Sequence, residues 1–156
     1  MKLAEALALR SDATKRSEQL RSRARGSARY QEGEEPAEDA AALVAEAGRV
    51  LDQLEDLIRR INRTNASVSL DEDSTLTDAI ARRDVLRLRH ALLTSVADAA
   101  AGKDDPGGFR QMRSELRYLT AVPVGELRAA ADEIARQYRE LDVRIQRVNW
   151  EADLAD

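Results

Sequence analysis

The sequence predicts an all-α fold: an elongated antiparallel bundle of about four long helices, in a single domain over residues 1–156. Three observations carry this expectation. Charged residues make up 35% of the chain and aromatics only 3%, so a core must be built from Ala, Leu, Val and Ile, a composition typical of long helices. Apolar residues recur three and four positions apart over long stretches, which is the period of one helix face. Turn-forming residues separate those stretches instead of interrupting them.

The first helix is expected from about Lys2 to Arg29, on Leu3, Ala6, Leu7, Ala13, Leu20 and Ala24. Its stripe thins after Leu9, so it needs partners to be held. Gly33 and Pro36 mark the first turn, with Pro36 suited to the opening position of a second helix. Glu38 and Asp39 then fall in the first turn of that helix, where the helix dipole favours negative charge. The second helix, Pro36 to about Asn65, carries a heptad seam of Leu43, Ala47, Val50, Leu54, Leu57 and Ile61. Val44, Leu51 and Ile58 widen that seam, as in a helix with more than one neighbour.

Val68 and Leu70 alternate with polar residues in the following break, as in a short strand. Thr75 with Asp78 three residues later resembles a capping box and opens a third helix, Leu76 to about Ala101. This helix is apolar on two sides. One stripe is Ala81, Val85, Leu88, Leu92, Val96 and Ala99; the other is Ala79, Leu86, Leu93, Ala97 and Ala100. Burial on both sides is therefore expected, in the middle of the bundle or against another subunit. Gly102, Asp104, Asp105, Pro106, Gly107 and Gly108 belong to a loop. The Tyr, Thr and Val of residues 116–122 allow a second short strand, and pairing with Val68–Leu70 would make a small two-stranded β-ribbon. Pro123 opens the last helix, with a seam of Leu127, Ala131, Ile134, Tyr138, Leu141, Ile145 and Val148.

Composition excludes several chemistries. The chain has no Cys, which removes thiolate zinc sites, disulfides and cysteine nucleophiles. Its single imidazole, His90, follows Arg87 by three positions, so the Glu-x-x-His pattern of carboxylate-bridged metal pairs is absent. No nucleophile-elbow, P-loop or dinucleotide fingerprint is present. Asp71-Glu72-Asp73 lacks the remaining ligands and the glycine of a calcium loop and reads as a solvated turn. No enzyme activity and no cofactor are expected. The first ten residues are broken by Glu5 and closed by Arg10, unlike the apolar stretch of a secretory signal, and no segment approaches the ~20 apolar residues of a membrane span. A cytoplasmic location is the expectation.

Two polar groupings remain. Between Arg10 and Arg29 there are seven basic and two acidic residues, while Tyr30 to Asp39 holds five acids and no base. Nucleic-acid binding through Arg21, Arg23 and Arg25 is one reading. Pairing of these bases with the neighbouring acids is the simpler one, because the chain carries a net charge of −4 and no aromatic residue stands among the arginines. The second grouping is Asn62 and Asn65 with Asp78, Arg82, Arg83 and Asp84. Arg83 is spaced with an apolar stripe, and a buried guanidinium must be paired. These residues form either a polar pocket for an anion or small ligand, or a network that fixes helix register or a subunit interface. The network is favoured, since neither a nucleophile nor a base accompanies it.

The segments Met1–Leu7, Gln31–Pro36, Ile61–Asn65, Leu76–Asp84 and Asn149-Trp150 together resemble the septicolysin-like family of small bacterial proteins. That resemblance implies a mostly helical fold, and the family name implies a pore-forming cytolysin. It assigns no active-site residue. The residues themselves point to a non-enzymatic protein that self-associates as a homo-oligomer, which is how the surplus apolar stripes would be covered.

Overall fold

A computed structural model describes residues 1–103 and 116–156. The fold is an all-α four-helix bundle. The helices are α1 (Leu3–Gly26), α2 (Ala40–Ser67), α3 (Leu76–Ala100) and α4 (Val124–Glu151). The expected loop residues Asp104, Asp105, Pro106, Gly107 and Gly108 lie outside the described residues.

The chain forms two compact units, residues 1–76 with 146–156, and residues 77–145. In the first, α1 and α2 pack against each other. Two ion pairs show their antiparallel register: Arg16 donates to Glu46 at 2.5 Å, and Arg23 donates to Glu38. Leu20, Ala24 and Leu43 are buried between these pairs, with Ala47 and Val50 packed against them. The thin stripe of α1 is thus held by the stronger seam of α2, whose residues from Leu43 to Ile61 are all buried or half-buried. At the other end of the pair, Leu3 donates its N–H to the Ala152 carbonyl, and Leu154 donates to that of Met1. Residues 152–156 lie along α2: the Thr64 hydroxyl accepts the Ala155 N–H at 2.9 Å and donates to the Arg60 carbonyl at 2.8 Å. Arg60 Nε donates to the Ala155 carbonyl at 2.9 Å. Leu3, Ile61, Leu76 and Leu154 are buried in this unit.

In the second unit, α3 and α4 are also antiparallel. Arg83 bonds Asp142 near one end, and Asp98 bonds Arg128 near the other. Ala79, Leu86, Ala97, Ala131, Leu141 and Ile145 are its buried apolar residues. A Schellman ending closes α3, with Lys103 donating to the Asp98 carbonyl and Gly102 to that of Ala99. Gly102 takes φ +74° there, a conformation that penalises any side chain.

Three local expectations are corrected. Pro36 does not open α2; Asp39 does, as the N-cap, its carboxylate accepting the Ala42 N–H at 3.0 Å. A side-chain acceptor satisfies a free helix-end donor directly, which Pro cannot do. Pro36 instead follows a turn at Gly33, φ +89°, and Glu38 stands outside the helix, paired with Arg23. The β-ribbon is absent: no strand forms among the described residues, and residues 116–122 are extended or bent. Val68 and Leu70 bond within their own loop instead, Leu76 donating to Val68 and Leu70 to Ser74. A local closure costs less chain entropy than a distant pairing. Pro123 opens α4 as expected: it directly precedes Val124, and its carbonyl accepts the Leu127 N–H.

Candidate functional site

Within the single chain, the third helix is covered on one side and not in the middle of a bundle. Only one of its two apolar stripes is covered. Ala79, Leu86 and Ala97 are buried, with Leu93 and Ala100 half-buried. On the other stripe, Val85, Leu88, Leu92 and Val96 are 47, 65, 63 and 38% exposed, and Ala81 and Ala99 are exposed with them. Steps of three and four residues place these six side chains in one row, about 27 Å long at 1.5 Å per residue. Isolated exposed leucines are ordinary; a continuous row along a helix marks a surface built for contact.

The row continues past the end of α3. Val96, Ala99 and Ala100 form one wall of an open groove of about 750 Å³. Tyr118, Leu119, Thr120, Ala121 and Val122 form the other. Leu116, Tyr118 and Leu119 are each more than four-fifths exposed. Residues that the sequence suggested for a strand thus extend the apolar surface of α3.

The polar residues singled out in the sequence fall in both units. Asn62 is exposed and Asn65 half-buried on α2, in the first unit. Asp78 and Arg82 are exposed, and Arg83 and Asp84 half-buried, on α3 in the second. Among these six, Arg83 and Asp84 are brought together, at 3.2 Å. The Arg83 side chain is 25% exposed, so it is partly solvated where full burial was expected. Its partner across the hairpin, Asp142 at 3.3 Å, was missed by the sequence reading. Register between helices of different loops is not visible in local spacing, so Asp142 gave no signal.

The basic face of α1 is partly neutralised by the acids that follow it. Arg23 bonds Glu38 and holds its carboxyl below the ordinary range, and the hydrogen bond from Arg16 does the same to Glu46. Arg21 and Arg25 have no acidic partner among the described residues and border a groove floored by Ala24, Val44, Ala47 and Leu51. No cluster of three metal-ligating side chains exists among the described residues. No described helix is long and apolar enough to cross a membrane.

Geometry thus defines a helical-bundle protein with an uncovered apolar helix face. The chain belongs to a family of unknown function, DUF6847, whose model matches residues 10–154. It is similar to a functionally unknown conserved protein from Corynebacterium diphtheriae, known from a crystal structure. The two share 39% sequence identity over 99% of each chain, with a TM-score of 0.92. No curated protein matches the chain.

Proposed function

We propose that this protein is a non-enzymatic, self-associating helical bundle whose copies meet through the exposed stripe of α3. The observation that carries the proposal is the row Val85, Leu88, Leu92 and Val96, open to solvent in the single chain. Its middle lies between Leu88 and Leu92, the two most exposed of the four. A two-fold antiparallel contact would set these leucines against their own copies at the centre, where interface residues contribute most.

The available area favours a second copy as the occupant. Each row exposes about two leucine equivalents, and two facing rows bury about 8 kcal/mol of apolar transfer energy at ~2 kcal/mol per side chain. Leu116, Tyr118 and Leu119 from both copies add a similar amount. Against an association cost of the order of 10 kcal/mol, the balance corresponds to a micromolar dimer. A cytoplasmic location belongs to the same reading.

Light scattering after size exclusion tests it, at low and high salt and across a micromolar concentration series. A dimer that persists in high salt is expected, because apolar contacts are not screened. A monomer at every concentration would overturn the proposal. The septicolysin-like resemblance supplies the rival, a pore former, for which dye leakage from liposomes is the direct assay. Salt-sensitive retention of DNA, abolished by changing Arg21, Arg23 and Arg25, would favour nucleic-acid binding instead.

A further inference from the structure

A second feature lies on a different face of α3. His90 follows Leu88 by two residues, about 200° around the helix, and so faces away from the exposed row. There it lines a cleft of about 330 Å³ with Arg87, Ala135, Tyr138 and Arg139. The cleft sits midway along the α3–α4 pair, between the Arg83–Asp142 and Asp98–Arg128 bonds that fix its register.

The charge of this cleft is one-sided. Two guanidinium groups and the chain's single imidazole line it, and no carboxylate does. Three arginines of the hairpin are matched: Arg83 with Asp84 and Asp142, Arg128 with Asp98, Arg136 with Glu133 and Glu140; Arg82 and Arg89, which do not line the cleft, have no acidic partner among the described residues. Arg87 and Arg139 have no acidic partner among the described residues. Tyr138 and His90 are half-buried, so the floor of the cleft is more enclosed than its arginine rim.

We propose that this cleft binds a small phosphate monoester. Guanidinium forks donate paired N–H groups to phosphate oxygens, and two forks suit a dianion better than a single carboxylate. His90 and Tyr138, which line the same cleft, carry further donor groups. Ala135 and the Tyr138 ring offer an apolar surface to the organic part of the ester. The volume is at the lower end for a ligand pocket and admits a phosphate with a short substituent.

The test is titration calorimetry of the full chain with inorganic phosphate and with phenyl phosphate, in chloride buffer of constant ionic strength. Saturable binding of both is expected, with phenyl phosphate several-fold tighter because its ring packs on Tyr138. The double variant Arg87→Gln/Arg139→Gln should weaken binding at least tenfold. Arg21→Gln/Arg25→Gln, which removes the same charge from α1, should leave it unchanged. Equal loss in both double variants would reveal general charge attraction and overturn the proposal, as would the absence of saturable binding at millimolar phenyl phosphate. Perturbation of the His90 ring resonances by phenyl phosphate in the unmodified protein is a second readout, independent of how the variants fold; unshifted resonances would also overturn it. A phosphoserine peptide that binds far more tightly than phenyl phosphate would overturn the small ester in favour of a phosphorylated protein.

Discussion

Leu88→Ala is the sharpest probe of the proposed α3 contact. The side chain is 65% exposed in the single chain, so little of the monomer's core depends on it. Truncation to Ala removes three carbons, about 2.4 kcal/mol if fully buried at ~0.8 kcal/mol per methylene. Scaled by the exposed fraction, each copy loses about 1.6 kcal/mol, and a two-fold contact loses it twice. A loss of about 3 kcal/mol weakens dimerisation on the order of a hundredfold. Sedimentation equilibrium over a concentration series measures this directly, and circular dichroism should report unchanged helicity. Leu86→Ala is the control on the covered side of the same helix: with Leu86 only 6% exposed, it should destabilise the fold by about 2–5 kcal/mol. If Leu88→Ala leaves the dimer constant unaltered while a dimer exists, the stripe is not the contact, and the reasoning from exposure to interface fails.

Three further outcomes follow from the same structure. Asp39→Ala removes the α2 cap and should cost about 1 kcal/mol in urea unfolding, while Asp39→Asn, which keeps an acceptor, should cost a few tenths; equal losses would contradict the cap. Thr64→Val strips the hydroxyl that accepts the Ala155 N–H inside the first unit and should cost about 1–3 kcal/mol; Thr64→Ser should recover most of it. Glu133 is held down to about 2 by the hydrogen bond from Arg136 and then by that from Gln137. A carboxyl depressed by folding adds stability above its ordinary value near 4.5, and that contribution is lost as pH falls toward about 2. The gap in melting temperature between the wild type and Glu133→Gln should therefore be small, since both side chains are solvent-exposed, widest near neutral pH, and closed at pH ~2; a constant gap would refute the pairing.

The number of helices, their approximate ends and their core seams were legible in the sequence, because each rests on interactions between residues three or four apart. The heptad positions from Leu43 to Ile61 on α2 and from Leu127 to Val148 on α4 are buried or half-buried as their spacing requires, whereas Val44 and Leu51, expected to widen the α2 seam, are exposed. The turn at Gly33 and the end of α3 at Gly102 were legible for a similar reason: both are local backbone demands. The start of α2 was misplaced because two local signals competed, and the side-chain cap of Asp39 prevailed over the proline. Residues 116–122 have strand-like composition, but a strand needs a partner, and the Val68–Leu70 loop closes on itself.

Other features were decided by tertiary structure alone. Periodicity showed that α3 has two apolar sides, yet which side is covered depends on how α4 lies against it. That register is fixed by Asp142 and Arg128, residues distant in sequence from their partners Arg83 and Asp98. The same packing brings Arg87 and His90 beside Tyr138 and Arg139 across the hairpin. The sequence by itself determined the helices and the apolar rows they carry, because those follow from a fixed rotation per residue. Which rows remain open, and which cations share a cleft, was decided only when separate helices came together, because contacts across a loop leave no period in the chain.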